Sequence, residues 1–303
     1  MEIINFDIKK NKLINNSKKI IILGKFNTFH LGHQKLFKKG FSLREAKKYQ
    51  LIVMLYPDFN DFTKTKVKKI LPLEERIKIL QKNNLDYVLL FEESAKNYQV
   101  TREKFIWYLK NILNVTDVIV GENFSFGKNK LDDLNLLAKN FNLHTIKLAY
   151  YNQQIISTSL IKMLLDEGAI EDANKLLGFN YFYSGKIVHG MGIGKKYNTP
   201  TANVEVKETL YRPMQGIYLS KVLIFDKYYY GITSISNNPT FDKRPVTFET
   251  YIFNFDQDIY GEIIYVELLK FMRREIKFDS IKKLFAQIEI DKKEAIRIIN
   301  GKK

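Results

Sequence analysis

One stretch near the N-terminus decides the fold of the first half of the chain: KIIILGKFNTFHLGH, residues 19–33. Its opening, Lys19–Leu23, is a β-branched apolar run that ends at Gly24, and apolar residues recur at helical spacing from His33 to Lys48. A strand, a glycine turn and a helix in this order predict the beginning of a parallel sheet. Ligands bind at the carboxyl edge of such sheets, which is where this turn lies.

The same alternation of strands and helices continues to about residue 177, and the sequence pattern then changes. Further predicted strands are Leu51–Tyr56, Tyr87–Phe91, Asp117–Val120 and His144–Leu148, and predicted helices are Leu73–Lys82, Arg102–Leu113, Leu131–Phe141 and one or two over Ser157–Leu177. After Gly178, closely spaced β-rich runs indicate an antiparallel barrel, and Ser280–Asn300 reads as a terminal helix. We therefore predict an α/β domain with a Rossmann-like parallel sheet over residues 1–180, and an antiparallel β-barrel domain with a terminal helix over residues 181–303.

Composition limits the class of protein. A length of 303 residues suits two domains, and the absence of cysteine excludes disulfides, thiolate metal sites and cysteine nucleophiles. We expect a cytoplasmic protein, because no apolar run approaches the ~20 residues of a membrane span and the first 19 residues are polar. The net charge of +16 leaves a nucleic-acid-binding protein as a distant alternative. The lysines are scattered in pairs, which favours a general compositional bias.

Two histidines lie in the tetrapeptide His30-Leu31-Gly32-His33, directly after the first strand, and the chain has only four. Imidazoles at the start of a helix can donate hydrogen bonds to a phosphate as negative charge develops on it. Gly24, which has no side chain, lets a nucleotide approach the protein backbone closely. This pattern predicts a phosphate-binding, catalytic pair.

A second glycine-rich segment, GMGIGK (residues 190–195), is followed by PTAN (residues 200–203). Backbone N–H groups of such a turn can surround phosphates, so we predict that Gly190, Gly194 and Lys195 bind a nucleotide. Thr201 and Asn203 carry hard oxygen ligands and lie on one face of a strand, so they suit Mg²⁺.

A third segment, Ile156-Ser157-Thr158-Ser159, begins a predicted helix. Its hydroxyls, together with Lys162, suit a triphosphate. Taken alone, the same hydroxyls are more typical of an ordinary helix cap.

In this order, the motifs resemble the bacterial family of bifunctional riboflavin kinase/FAD synthetases over about residues 19–298. The resemblance implies that the barrel phosphorylates riboflavin to FMN with ATP and Mg²⁺. It also implies that the α/β domain transfers AMP from ATP to FMN, giving FAD and pyrophosphate. The implied partners are the small molecules riboflavin, FMN and ATP, with no nucleic acid and no membrane, and the oligomeric state stays open.

The resemblance also implies roles for single residues. Glu249 stands where the family has its general base, and His30 and His33 form the catalytic pair of the α/β domain. Candidates for binding nucleotide or flavin are Gly24, Phe26, Asn27, Asn123, Ser157, Thr158, Lys162, Gly190, Gly194, Lys195, Thr201, Asn203, Arg273 and Glu275. The family usually has charged residues at four neutral positions, Asn27, Asn123, Ser125 and Leu160. A riboflavin kinase with a degenerate adenylyltransferase domain is therefore the nearer alternative.

Overall fold

The N-terminal part of the chain contains a parallel sheet of six strands. The structure, a computed structural model, describes residues 1–7, 9, 15–57, 59–60, 65–66, 68–91, 100–125, 130–190, 199–236 and 246–301. The strands of this part are β1 (Glu2–Asn5), β2 (Lys19–Ile22), β3 (Gln50–Leu55), β4 (Phe59–Asn60), β5 (Thr65–Lys66), β6 (Tyr87–Leu90), β7 (Val115–Gly121), β8 (Asn142–Ile146), β9 (Tyr150–Tyr151) and β10 (Gln154–Ile155). The sheet has the order β1-β6-β3-β2-β7-β8 with every pair parallel, whereas β4–β5 and β9–β10 are separate antiparallel pairs.

Burial explains why the central strands are continuous apolar runs. Ile20, Ile21 and Ile22 of β2 are completely buried, as expected of a parallel strand with both faces covered. The described helices are α1 (Leu31–Lys47), α2 (Leu73–Lys82), α3 (Arg102–Asn111), α4 (Lys130–Asn140), α5 (Thr158–Asp166), α6 (Ile170–Leu177) and α7 (Ile281–Asn300). Because β3 and β7 flank β2 on opposite sides, the winding reverses there, and a crevice opens at the carboxyl ends of these strands.

The C-terminal part contains a closed barrel of six antiparallel strands. They are β11 (Phe182–Val188), β12 (Ala202–Glu205), β13 (Gly216–Ile224), β14 (Lys227–Ser236), β15 (Thr247–Ile252) and β16 (Ile263–Arg273). The order is β11-β12-β15-β14-β13-β16, and β16 pairs back onto β11. The predicted fold class, a parallel α/β sheet followed by a barrel and a terminal helix, is confirmed.

The alternation of β15 decides which side chains enter the barrel. Phe248, Thr250 and Ile252 are buried, while Glu249 and Tyr251 between them are partly exposed. Glu249 is therefore on the outer face of the barrel, since successive side chains of a strand point to opposite faces. A carboxylate at this position avoids the core, which explains how a mostly apolar strand accommodates it.

Two compact units, Met1–Leu160 and Ile161–Lys303, divide the chain. Most of α5 and all of α6 belong to the second unit, where α6 packs on β16 and the backbone N–H of Met214 donates to the carbonyl of Leu165 at 2.8 Å. The boundary at residues 180 and 181, read from the sequence, follows these helices and stays a prediction. None of the helices that the structure describes is long and apolar enough to cross a bilayer.

Candidate active sites

A cavity of about 350 Å³ lies at the carboxyl edge of the parallel sheet. The segments that follow four strands contribute to its wall, namely Leu23–Lys25 after β2, Tyr56 after β3, Asn123–Ser125 after β7 and Lys147–Ala149 after β8. His30, Gly32, His33, Ser157 and Thr158 complete the set that matters for phosphate chemistry. The sheet thus brings together most of the residues predicted for this site, although they are spread over more than a hundred positions.

His30 and His33 adopt a defined arrangement at the start of α1. Their rings are stacked with centroids 3.6 Å apart, and His30 Nδ1 accepts a hydrogen bond from the backbone N–H of His33 at 3.2 Å. His30 is thereby the N-cap of the helix. Because Nδ1 is the acceptor, the proton of the neutral ring belongs on Nε2, which leaves an N–H donor for a ligand.

Burial keeps both imidazoles neutral. Desolvation lowers the pKa of His30 to about 4. The pKa of His33 is lowered well below its usual value, mainly by desolvation and further by the neighbouring His30, against the effect of a hydrogen bond with the Thr28 backbone. At neutral pH the pair therefore carries no positive charge of its own, and each neutral ring has a single N–H to donate. Lys25 and Lys147, which the sequence did not single out, bring cations to the cavity wall.

This difference in pKa gives a test of the site's burial. The His30 ring should titrate near pH 4 in the folded protein, measured from its C2–H resonance by NMR and assigned with a His30→Asn variant. The unfolded chain takes up this proton near pH 6.5 and the folded chain only near pH 4, so stability should fall as the pH falls through that window. A His30 midpoint at 6 or above would contradict the burial of the ring.

Phe26 and Asn27 lie in the loop after β2, directly after Gly24 and Lys25 of the cavity wall. The Phe26 ring is fully buried, and a Cβ added to Gly24 would lie 2.7 Å from its Cζ, so only glycine fits there. Asn27 Oδ1 accepts a hydrogen bond from Lys69 Nζ at 2.7 Å. The ligand roles predicted for Phe26 and Asn27 stay predictions.

A second cavity, of about 390 Å³, lies between the outer face of the barrel and α7. Its polar lining includes Thr199, Thr201 and Glu249, and its mostly apolar lining is Ile217, Ile232, Tyr251, Ile276, Phe278, Ile281, Leu284, Phe285 and Ile288. The residues of this lining that the sequence analysis predicted for the site are Thr201, Glu249, Arg273 and Glu275, all of them polar or charged. Apolar residues that line a cavity have the same sequence pattern as apolar residues of a core, so the pattern could not show the rest.

Glu249 is positioned by its neighbours on both sides. It pairs with Ser234 of β14 and Asn203 of β12, and Thr201 Oγ1 donates to its Oε2 at 3.4 Å. Desolvation raises the pKa of Glu249 above its usual value, and the Thr201 hydroxyl opposes that effect. A raised pKa makes the carboxylate a better proton acceptor near neutral pH.

Asn203 occupies space that a side chain at position 190 would take. A Cβ added to Gly190 would lie 2.2 Å from Asn203 Nδ2, so the glycine lets the amide pack against the backbone. Thr201 comes directly before β12, Asn203 lies in it, and Glu249 pairs with Asn203 from β15, so neighbouring positions carry a hydroxyl, an amide and a carboxylate. Such hard oxygens fit Mg²⁺. Gly194 and Lys195 lie outside the described residues.

Arg273 and Glu275 lie at the α7 end of this second cavity. Arg273 makes two hydrogen bonds to Asp291 of α7, Nε to Oδ1 at 2.8 Å and Nη2 to Oδ2 at 2.6 Å. This paired contact ties the end of β16 to the terminal helix, and the predicted flavin contact of Arg273 stays a prediction. Lys162 lies in the second compact unit, where its Nζ is 4.4 Å from the centroid of the Tyr211 ring.

Comparisons with known proteins agree with this division into two sites. A family model described as FAD synthetase matches residues 12–160, and one described as riboflavin kinase matches residues 177–299. The bifunctional riboflavin kinase/FMN adenylyltransferase of Bacillus subtilis (strain 168) is 32% identical over 298 residues, which cover 94% of each chain. This chain belongs to the family of bifunctional riboflavin kinase/FMN adenylyltransferases. The corresponding protein of Buchnera aphidicola subsp. Schizaphis graminum is also 32% identical and covers 91% of this chain and 92% of its own.

A solved structure supports the fold over the same length. It is described as a macrolide-efflux protein from Streptococcus pneumoniae, is 28% identical to this chain, and superposes with a TM-score of 0.85. The match covers 96% of this chain and 97% of that one. Membership of the bifunctional family includes both halves of the chain, and it does not favour the kinase-only and nucleic-acid-binding alternatives.

Proposed function

We propose that the two cavities divide the two reactions of the family between them. The barrel cavity phosphorylates riboflavin, and the cavity of the parallel sheet adenylylates the FMN that results. The observation that carries this proposal is the pair of separate sites: a stacked, neutral histidine pair at a helix N-terminus in one unit, and a desolvated carboxylate beside an apolar cavity in the other. Each site has the chemistry that one of the two reactions needs.

In the barrel cavity, the apolar wall suits the isoalloxazine ring of riboflavin, and Glu249 accepts the proton of its primary hydroxyl. As the proton leaves, the hydroxyl oxygen forms a bond to the γ-phosphorus of ATP and the bond to the β-phosphate oxygen breaks, so the products are FMN and ADP. Thr201 and Asn203 would hold Mg²⁺ with the triphosphate, and the ion would neutralise charge on the phosphates. Magnesium is part of the proposal because Thr201 and Asn203 carry the hard oxygens that this ion prefers, and Asn203 pairs with Glu249 on the neighbouring strand.

In the sheet cavity, a phosphate oxygen of FMN attacks the α-phosphorus of ATP and pyrophosphate leaves, which gives FAD. His30 and His33 donate N–H groups to phosphate oxygens as their charge develops. The first turn of α1, the Ser157 and Thr158 hydroxyls, and the side chains of Lys25 and Lys147 provide further favourable contacts for a triphosphate.

The oxygen ligands of the barrel give a separate prediction. Thr201→Val and Asn203→Leu each remove an oxygen and keep a similar side-chain volume, so we expect the affinity for Mg·ATP to fall by about tenfold or more, since each lost charge-assisted contact is worth about 1.5–3 kcal/mol. Riboflavin affinity should change much less. Calorimetry with Mg·ATP and, separately, with riboflavin measures both affinities, and Ser236→Ala serves as the control on the same cavity wall. Unchanged nucleotide affinity in both variants would make this segment structural only.

The cellular setting follows from the same proposal. We infer that the chain acts in the cytoplasm on small molecules, because ATP is a substrate and the sequence contains no cysteine. Independence from nucleic acid and membrane stays a prediction. Retention of the protein on immobilised DNA across a salt series, compared with flavin binding, tests it.

A further inference from the structure

Arg76 is a completely buried arginine on α2, in the N-terminal unit. Its Nη2 donates to the backbone carbonyl of Tyr56 at 2.9 Å, and its Nη1 lies 3.5 Å from the carbonyl of Phe26, a long hydrogen bond. Burying a guanidinium is costly unless its N–H groups are used. One side chain of α2 therefore contacts the backbones of two separate loops.

These two loops both belong to the nucleotide cavity. Phe26 is in the loop that follows β2, and Tyr56 is in the loop that follows β3, the neighbouring parallel strand. Gly24 and Lys25 of the first loop and Tyr56 of the second line the cavity. Arg76 thus joins two parts of the cavity wall through their main chains.

The position of the Phe26 carbonyl depends on the contacts around it, because the backbone of Phe26 is strained. Phe26 has φ of 41°, a left-handed conformation that is uncommon for a residue other than glycine and that needs surrounding contacts to persist. Its ring packs against Gly24 and meets the His33 ring edge-on, with centroids 4.9 Å apart. A change in the Phe26 backbone would therefore be transmitted to His33 and to the glycine over which a nucleotide would lie.

We propose that Arg76 is a positioning residue for adenylyl transfer, which sets the separation of the β2 and β3 loops and, through Phe26, the placement of His33. This inference rests on the function proposed above for the sheet cavity. The planar guanidinium presents N–H groups in a fixed fork and reaches both carbonyls at once. A lysine keeps the charge but has a single ammonium group, and this difference separates geometry from charge.

The test compares Arg76→Lys with the unchanged protein in two assays on the same chain. FAD formation from FMN should lose at least tenfold in kcat, because displacing a catalytic group by about 1 Å can cost about 10²-fold. Riboflavin phosphorylation should stay within twofold, since it takes place in the other unit. Arg102→Lys is the matched control: Arg102 is in the same unit and pairs with the buried Asp133 at 3.0 Å, and this variant should keep the FAD kcat.

Folding of the N-terminal unit is followed separately, through the fluorescence of Trp107, the single tryptophan of the chain. A positioning role predicts a low kcat at saturating ATP and FMN while Trp107 reports a fully folded unit. If the loss of FAD formation only matches the unfolded fraction, or if Arg76→Lys keeps the original kcat, the inference is wrong. Failure of the unchanged protein to make FAD would instead defeat the proposed function, and this inference with it.

Discussion

Glu249→Gln is expected to reduce riboflavin phosphorylation by about 10²–10⁴-fold, the usual contribution of a general base. The amide keeps the size of the side chain and can still contact Thr201, but it cannot accept the proton of the riboflavin hydroxyl. The measurement is the initial rate of FMN formation with saturating riboflavin and Mg·ATP. ATP binding should persist, because Thr201 and Asn203, which are proposed to hold Mg·ATP, are unchanged in this variant.

The pH dependence adds a second readout for the same residue. Burial raises the pKa of Glu249, and the base works only when it is deprotonated, so the kinase rate should fall as the pH falls through that raised value. The acid limb of the profile should lie above pH 4.5 and should be absent in the residual activity of Glu249→Gln. A variant that stays within a few-fold of the original rate would remove Glu249 from the mechanism.

His30→Asn and His33→Gln are expected to lower FAD formation from FMN by about 10²–10³-fold each, the effect of losing one donor to a developing oxyanion. Asparagine is chosen at position 30 because its side chain can still cap α1, as His30 does through Nδ1. The loss can then be assigned to the missing imidazole N–H. Product formation is followed by chromatography with FMN and Mg·ATP as substrates.

Riboflavin phosphorylation by the same protein is the control for the histidine variants. Riboflavin phosphorylation takes place in the barrel unit and should be unchanged, because effects at distant, independent sites separate. Equal losses of both activities would indicate a general folding defect. If either variant makes FAD at the original rate, these histidines have no part in catalysis.

The fold was largely predictable because its strong signals are local. The predicted helix over residues 73–82 has the bounds that the structure shows, and the strand before Gly24 ends within one residue of its prediction. β1 (Glu2–Asn5) was missed: four residues at the edge of the sheet, next to a polar segment, give too short a pattern. The segment at the unit boundary was predicted as one or two helices and forms two, and their grouping with the barrel depends on tertiary contacts that periodicity does not encode.

The sites were predictable where a motif fixes its own geometry. His30 and His33 are three positions apart at a helix start, so spacing alone brings them together. The Arg273 contact with Asp291 was not predictable, because it depends on how α7 returns to the barrel. The same holds for Arg76, whose role is read from two backbone carbonyls that no side-chain pattern identifies.

The most direct test of the account is the set of products that the purified protein makes from riboflavin and Mg·ATP. Chromatography should show FMN appearing first and FAD following from it, with ADP and pyrophosphate as the other products. Glu249→Gln should make FAD only when FMN is supplied, and His30→Asn should accumulate FMN. FMN without FAD at any concentration of ATP, Mg²⁺ or FMN, or no flavin product at all, would contradict the assignment of one reaction to each cavity.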